Sequence, residues 1–177
     1  IHLHHDKDTE QGLREKLKRF TELLARDHGA LPRHPVTGQP QWAFIHGNWA
    51  LDNSHPGGGN CGVSEELSVL RATGCYADFT LPSAPSDTQT QTINSIYYAS
   101  DVPGRCKSHD HGVRAAVGRT QPDQSLLMVQ GPLLFDGSRR KFGLLPRVEN
   151  GDLLGNHPPS LRRLQLWLKA GVTVQGR

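Results

Sequence analysis

The sequence lacks long apolar runs and contains few cysteines. No stretch approaches the roughly 20 consecutive apolar residues that a membrane-spanning helix needs, so the sequence predicts no membrane span. The three cysteines, Cys61, Cys75 and Cys106, form neither a CxxC metal motif nor an even disulfide set. This pattern favours a reducing compartment, and we therefore expect a cytoplasmic location.

A strong charge of either sign is also lacking. The chain has 20 Lys and Arg residues against 17 Asp and Glu residues, which gives a formal net charge of +3 with neutral histidine. The basic residues are scattered, apart from residues 139–141 and 162–163. Because so weak a field does not attract a polyanion over a distance, the sequence predicts no nucleic-acid partner.

The chain also lacks an initiator methionine and a secretory signal. Its first residues already have the pattern of a strand end, and its 177 residues suit one domain with a sizeable core. We therefore expect residues 1–177 to be a single domain that is an internal fragment of a larger one, truncated at both ends.

Amphipathic helices alternate with short apolar strands along the chain. Leucines recur at helical spacing from Thr9 to His28, and Gly29 suits the left-handed position after that helix. The further predicted elements are strand Trp42–His46, helix Ser64–Thr73, strand Cys75–Thr80, an ambiguous segment Ile93–Tyr98, strand Leu126–Gln130, a helix from Ser160 to Gly171 and strand Val172–Val174. This alternation predicts an α/β fold with mainly parallel strands, as part of a barrel or as a small open sheet.

Polar side chains follow the first predicted strand. Ligands gather at the carboxyl edge of parallel strands in barrels and in open sheets alike. His2 and His4 share one strand face, and with Asp8 or Asp6 they could supply three ligands to zinc or a similar ion. A polar strand end without a metal and a remnant of an affinity tag are the alternatives.

Other strand ends and one loop carry further candidate site residues. These are His46, Asn48 and the loop residue His109 for catalysis, and Trp49, Asp78 and Gln130 for substrate binding. A structural turn is the alternative for the residues after strand Trp42–His46.

Two glutamates and a cysteine near the second predicted helix are better explained by structural roles than by catalytic ones. Glu65 and Glu66 open that helix, where carboxylates favour the positive end of the helix dipole, so we expect them to act as caps. Cys61 could act as a nucleophile with His46 or His109. No surrounding motif supports that role, and a structural cysteine is the favoured interpretation.

Two parts of the chain resemble polysaccharide deacetylases. The segment HLHHDKDT, with EKLKRFTELLARDHG after it, is similar to the second characteristic segment of the NodB-like carbohydrate esterases, related to carbohydrate esterase family 4. The stretches FIHGNWALDNS, CGVSEELSVLRATGCYADFTLPSAP and INSIYYA are similar to bacterial proteins described as polysaccharide deacetylase-like.

The resemblance implies a partial (β/α) barrel with a divalent metal, zinc being the expected ion. His4 matches the first histidine of the family's H-x-x-x-H pair, whereas Asp8 stands where the second would be. The Asp-Asp strand and the Leu-His strand that the family also uses would lie outside these residues.

These observations lead to three functional hypotheses. The first is a metal-dependent, deacetylase-like hydrolase of N- or O-acetylated polysaccharide. In it, His2, His4 and Asp8 hold Zn²⁺ or a similar ion, and the ion polarises the acyl carbonyl and activates water. The second is a catalytically degenerate carbohydrate-binding barrel domain, favoured by Asp8 in place of histidine and by Trp49 as a sugar-stacking residue. The third is a metal-dependent amidohydrolase with a non-sugar substrate, because H-x-H at a strand end also suits such barrels.

Overall fold

The computed structural model describes residues 1–176, which contain three α-helices and eight β-strands. In chain order these are β1 (His2–Leu3), α1 (Glu10–Asp27), β2 (Trp42–His46), α2 (Glu66–Ala72), β3 (Cys75–Asp78), β4 (Ser95–Ala99), β5 (Val113–Arg114), β6 (Leu126–Gln130), β7 (Leu134–Lys141), β8 (Leu145–Glu149) and α3 (Leu161–Ala170). Short 3₁₀ turns lie at Leu51–Asn53, Pro56–Gly58 and Ser108–Asp110.

Six strands form one sheet in the order β1-β2-β3-β6-β4-β5. The neighbours from β1 to β6 in this order are parallel, whereas β4 is antiparallel to both β6 and β5. The prediction of an α/β fold with a mainly parallel sheet is confirmed, and the strand pairing of residues 1–176 does not show a barrel. Because the four parallel strands point the same way, their carboxyl ends share one edge of the sheet, which we call the carboxyl edge.

The first helix forms where the sequence predicts it. The Thr9 hydroxyl accepts the N–H of Gly12 at 3.0 Å and caps the start of α1. Gly29, with φ of +57°, follows its end in the left-handed conformation. Leu13 and Leu17 are buried in the core, and each such side chain contributes about 1.5–3 kcal/mol on burial.

The elements at residues 64–80 are shorter than predicted. Glu65 has non-helical dihedral angles, so α2 begins at Glu66 rather than at Ser64. β3 ends at Asp78 because Thr80 turns back and donates its N–H and hydroxyl to the Asp78 carboxylate. Both changes place acidic side chains at the carboxyl edge.

The C-terminal part of the chain differs from the prediction in two respects. α3 is confirmed, with Ser160 as its cap and Gly171 in the left-handed conformation. The predicted strand Val172–Val174 is wrong, since the only pairing in that region is a bridge between Gln175 and Ala116. The antiparallel hairpin of β7 and β8 was missed, because it is mostly exposed on both faces and has no hydrophobic period.

The hydrophobic core packs α1 and α2 against the sheet. Its members include Trp42, Phe44, Tyr97, Leu67, Leu126 and Met128, all with relative exposure of 2% or less. Within residues 1–176, none of the helices combines the length and the apolar composition that crossing a membrane would require.

Candidate metal centre

Four metal-ligating side chains converge at the carboxyl edge: His5, His46, Cys61 and Glu66. His5 follows β1, His46 ends β2, Cys61 lies in the loop before α2, and Glu66 is the first residue of α2. Their candidate ligand atoms all lie within 4.8 Å of one another. All four residues are buried, with relative exposures from 0% to 5%. We call this group the buried cluster.

Two glycines allow the chain segments that carry the cluster to approach closely. Gly62 has φ of +97°, and a Cβ atom there would lie 2.7 Å from the backbone N and O atoms of Asp8. The Asp8 N–H in turn donates to the Cys61 carbonyl at 2.8 Å, which ties the loop to the segment after His5. At Gly47 a Cβ atom would lie 2.4 Å from the His4 ring, so only glycine lets the ends of β1 and β2 pack together.

The Glu66 carboxylate is the hydrogen-bonding centre of the cluster. One oxygen accepts the Nε2 proton of His5 at 3.0 Å, and the other accepts the Asp52 N–H at 2.7 Å and the Cys61 thiol at 3.3 Å. Burial alone would raise the pKa of Glu66, but the His5 hydrogen bond and the nearby imidazoles bring it below the usual value. A buried carboxylate needs a positive partner, because isolated charge is very costly away from water.

His46 does not supply that positive charge. The pKa of His46 is lowered to about 4, mainly by burial and in part by the neighbouring imidazoles, although Glu66 opposes the shift. Its Nδ1 atom accepts the Asn48 N–H at 3.2 Å, which leaves the ring proton on Nε2. That Nε2 atom lies 3.9 Å from the Glu66 carboxylate and has no hydrogen-bond partner within residues 1–176. The charge opposite Glu66 therefore comes from His5 or from a bound cation.

The donor set fits a divalent transition metal. Two imidazole nitrogens, a sulfur and a carboxylate oxygen are the ligands that zinc takes in proteins. Burial and the neighbouring Glu66 raise the pKa of the Cys61 thiol, and a cation would reverse that effect by stabilising the thiolate. Ligation through His46 Nε2 would move the ring proton to Nδ1, so the Asn48 N–H would have to turn away. The buried cluster could thus hold a metal ion, with a local change at Asn48.

A second acid–imidazole pair lies next to the cluster. Asp52 adopts φ of +54° in its 3₁₀ turn, and its carboxylate accepts the Ser108 N–H at 2.5 Å. The same oxygen lies 3.6 Å from Nδ1 of His109, which is buried. Burial raises the pKa of Asp52 to about 6, although the His109 contact opposes this rise. Because the Asp52 N–H also binds Glu66, this pair is directly linked to the cluster.

The ends of β3 and β6 complete the edge. Burial raises the pKa of Asp78 to about 7, although hydrogen bonds from Thr80 at 2.7 and 3.1 Å oppose the shift. Gln130 donates to the Thr80 carbonyl at 3.0 Å. A small pocket beside these residues is lined in part by Trp49, Thr80, His109 and Gln130. Three of the predicted site residues, Trp49, His109 and Gln130, thus line one pocket. The predicted residue Asp78 does not line it and is fully buried.

The predicted metal ligands His2, His4 and Asp8 are not brought together in this way. His2 and His4 are exposed and stack with ring centroids 4.8 Å apart, and His4 Nδ1 bonds to the Asn48 side chain at 2.8 Å. Asp8 instead pairs with Lys16 at 2.6 Å and accepts the Thr9 N–H at 3.0 Å. Among residues 1–176, only the buried cluster has three or more converging ligand atoms.

Asn48 also has a different place from the one expected for a catalytic residue. Besides its contact with His4, its side-chain amide donates to the His5 carbonyl at 3.0 Å. It therefore bridges the ends of β1 and β2, where it holds the ring of His4 and the backbone of His5.

Sequence reasoning missed all four residues of the buried cluster as ligand candidates, since it assigned His46 to catalysis and named neither His5, Cys61 nor Glu66 as a ligand. Strand alternation placed His5 opposite the His2–His4 face, and the buried face proved to be the one with a single histidine. One signal was available for Glu66: it is three residues after Val63 and four before Leu70, which places a carboxylate on the apolar face of α2. A charge on such a face is rare unless it is paired, so a structural cap was the wrong interpretation.

The chain was compared with known proteins at three levels. No protein-family model, curated protein or solved structure matches it.

Proposed function

We propose that this protein is a zinc-dependent hydrolase that removes acetyl groups from a polysaccharide, with His5, His46 and Glu66 as metal ligands. The observation that carries the proposal is the convergence of four donor atoms at the carboxyl edge of a parallel sheet. Ligands bind at this edge in α/β enzymes generally. The substrate class, and the partial barrel that would complete the sheet, rest on the resemblance of the HLHHDKDT and FIHGNWALDNS segments.

The residues around the cluster have separate tasks in this proposal. When bound, the zinc ion would polarise an acyl carbonyl and lower the pKa of water. In this proposal the sulfur of Cys61 is not a ligand: its thiol stays protonated, donates a hydrogen bond to Glu66 and holds that carboxylate in place, which leaves one ligand position open. Asp52 orients His109, which lies in the pocket wall and exchanges a proton with the leaving group. Trp49, about half exposed, offers its ring to a sugar face.

Metal content tests the ligand assignment. Purified protein is stripped with chelator, reloaded with zinc and analysed by mass spectrometry. We expect roughly one zinc per chain in the wild type and loss of zinc in His5→Ala and His46→Ala. His2→Ala and His4→Ala are matched controls, because these two exposed histidines lie outside the cluster, and both should keep the metal. Loss of zinc in the controls alone would overturn the assignment.

Acetate release tests the reaction. Zinc-loaded protein is incubated with N-acetylated chitin oligosaccharides and with acetylated xylan. Release that depends on zinc and on His109 supports the deacetylase. Hydrolysis of an aryl acetamide without any action on the sugars would instead identify an amidohydrolase with a non-sugar substrate.

The second candidate is a carbohydrate-binding domain with a structural metal. The complete burial of all four cluster residues favours it, because closed four-ligand sites are typical of structural zinc. In that case Cys61→Ser would lose zinc as fully as His46→Ala does. Under the hydrolase proposal Cys61→Ser keeps zinc, so this one variant separates the two functions.

A further inference from the structure

A second cleft, of about 500 Å³, lies beside the β7–β8 hairpin. Its walls include three acidic residues, Asp136, Glu149 and Asp152, and three basic residues of the hairpin, Arg139, Lys141 and Arg147. Whether the cleft attracts cations or anions depends on which of these charges are already neutralised.

The acidic residues are all paired with cations from α3 or the loop before it. Arg163 binds Glu149 at 2.8 Å and Asp152 at 3.1 Å, and Arg162 binds Asp136. Hydrogen bonds to Arg163 and Trp167 hold the pKa of Glu149 below its usual value against the opposing effect of burial. The two arginines thus offset two of the three carboxylate charges, and one negative charge remains in the cleft.

The three hairpin cations, in contrast, have no acidic partner and donate no hydrogen bond within residues 1–176. Arg139 and Lys141 are two positions apart on β7, so they lie on one strand face at a spacing of about 7 Å. Arg147 lies on the adjacent strand β8. The cleft thus presents these three positive charges along one wall, against the one carboxylate charge that Arg162 and Arg163 leave over, and its net charge is positive.

The composition of the lining discriminates between polyanions. Within residues 1–176, no Phe, Tyr or Trp side chain lines the cleft, and His157 supplies its one aromatic ring, whereas proteins that bind single-stranded nucleic acid supply several aromatic rings on which successive bases stack. Guanidinium groups pair well with planar carboxylates and with sulfates. The residues therefore fit an acidic oligosaccharide better than a nucleic acid.

The cleft also adjoins the pocket at the carboxyl edge. Pro82 lines that pocket and accepts a hydrogen bond from Asn150, which lines the cleft, at 3.2 Å. A single extended ligand could reach both places.

We propose that the cleft binds an acidic oligosaccharide, whose carboxylate or sulfate groups pair with Arg139, Lys141 and Arg147. This binding is independent of the hydrolase proposal, since it requires neither the metal nor turnover. If both hold, the cleft selects acidic chains and presents them to the pocket lined by Trp49 and His109.

The test is a binding titration with full-length chain at low and high salt. The probes are an oligogalacturonate, which carries carboxylates, a heparin-derived oligosaccharide, which carries sulfates, a neutral dextran oligosaccharide and an oligothymidylate. We expect one or both acidic sugars to bind and dextran not to bind. The double variant Arg139→Gln/Arg147→Gln should weaken binding about tenfold, because each of these exposed ion pairs is worth a factor of about three.

The matched control is Lys18→Gln/Arg19→Gln, which removes the same charge from the exposed face of α1. If the control weakens binding as much as the hairpin variant, the ligand senses only the general field and the proposed site is wrong. Tighter binding of the oligothymidylate would overturn the choice of a saccharide, and no binding of either acidic sugar would overturn the proposal. Zinc removal should leave the titration unchanged, which separates this result from the outcome at the buried cluster.

Discussion

The buried carboxylate of Glu66 offers the sharpest test of the cluster. Glu66→Ala removes the acceptor of three buried donors: the His5 ring N–H, the Asp52 N–H and the Cys61 thiol. Removing one partner of a buried charged pair costs about 3–5 kcal/mol. We therefore expect urea denaturation at pH 7 in the presence of chelator to show a loss of about 3–5 kcal/mol in the free energy of unfolding.

A second substitution at the same position separates stability from metal binding. In Glu66→Gln the amide can donate to His5 if the ring proton moves from Nε2 to Nδ1, and the amide oxygen still accepts from Asp52 and Cys61. All three contacts persist, so the free energy of unfolding should stay within about 1 kcal/mol of the wild type. Zinc that binds the folded wild type should raise its melting temperature. Glu66→Gln lacks the anionic ligand, so this rise should disappear in the variant.

Glu65→Ala is the matched control, because Glu65 is the adjacent residue, is only partly buried and caps no helix by its side chain. It should change stability by less than about 0.5 kcal/mol. If Glu66→Ala is as mild as this control, the carboxylate does not hold the cluster together. If Glu66→Gln keeps the zinc response, Glu66 is not a metal ligand.

Three further predictions concern pH and backbone conformation. Burial lowers the pKa of His46 from 6.5 to about 4, so between these pH values the imidazole is protonated in the unfolded chain and neutral in the folded chain. The free energy of unfolding should therefore fall by about 3 kcal/mol as pH drops from 6.5 to 4. Urea titrations should show that His46→Gln flattens this slope, and an unchanged slope would rule out His46 as its source. Burial raises the pKa of Asp78 from 3.8 to about 7, so the unfolded chain releases this proton first and the wild type loses stability as pH rises from about 4 to about 7. Asp78→Asn should therefore gain stability relative to the wild type over that range and no more above it, and equal pH profiles would contradict the assignment. Gly62→Ala should cost at least about 2 kcal/mol, because it adds a clash with Asp8 to a left-handed conformation. Gly57→Ala has a similar φ but open space around it, so calorimetry should show a smaller loss there.

Local rules account for the parts of the fold that were predicted correctly. In α1 the leucine spacing, the polar cap and the glycine after the helix all act within a few residues of one another. The strands Trp42–His46 and Leu126–Gln130 were equally clear, because a short apolar run between turn formers has one stable environment, the buried sheet. The hairpin of β7 and β8 has no such run, so its pairing depends on contacts that the sequence pattern does not contain.

The candidate site was located correctly as an edge but not as a set of residues. The rule that ligands gather at the carboxyl ends of parallel strands selected the segments after β1 and β2, which do carry His5 and His46. It could not say which face of β1 would be buried, because the two residues of that strand are too few to show a period. The choice of His2 and His4 over His5 followed from this ambiguity.

What the sequence by itself determined is the α/β class, the main helices and the edge at which polar side chains accumulate. These features depend on periodicity, caps and turns, which are encoded in short segments. Only the tertiary structure decided that Glu66 and Cys61 join His5 and His46, and that Arg139, Lys141 and Arg147 keep their charges unpaired. Both outcomes depend on contacts between residues far apart in the chain, where burial and charge pairing act through space rather than along the sequence.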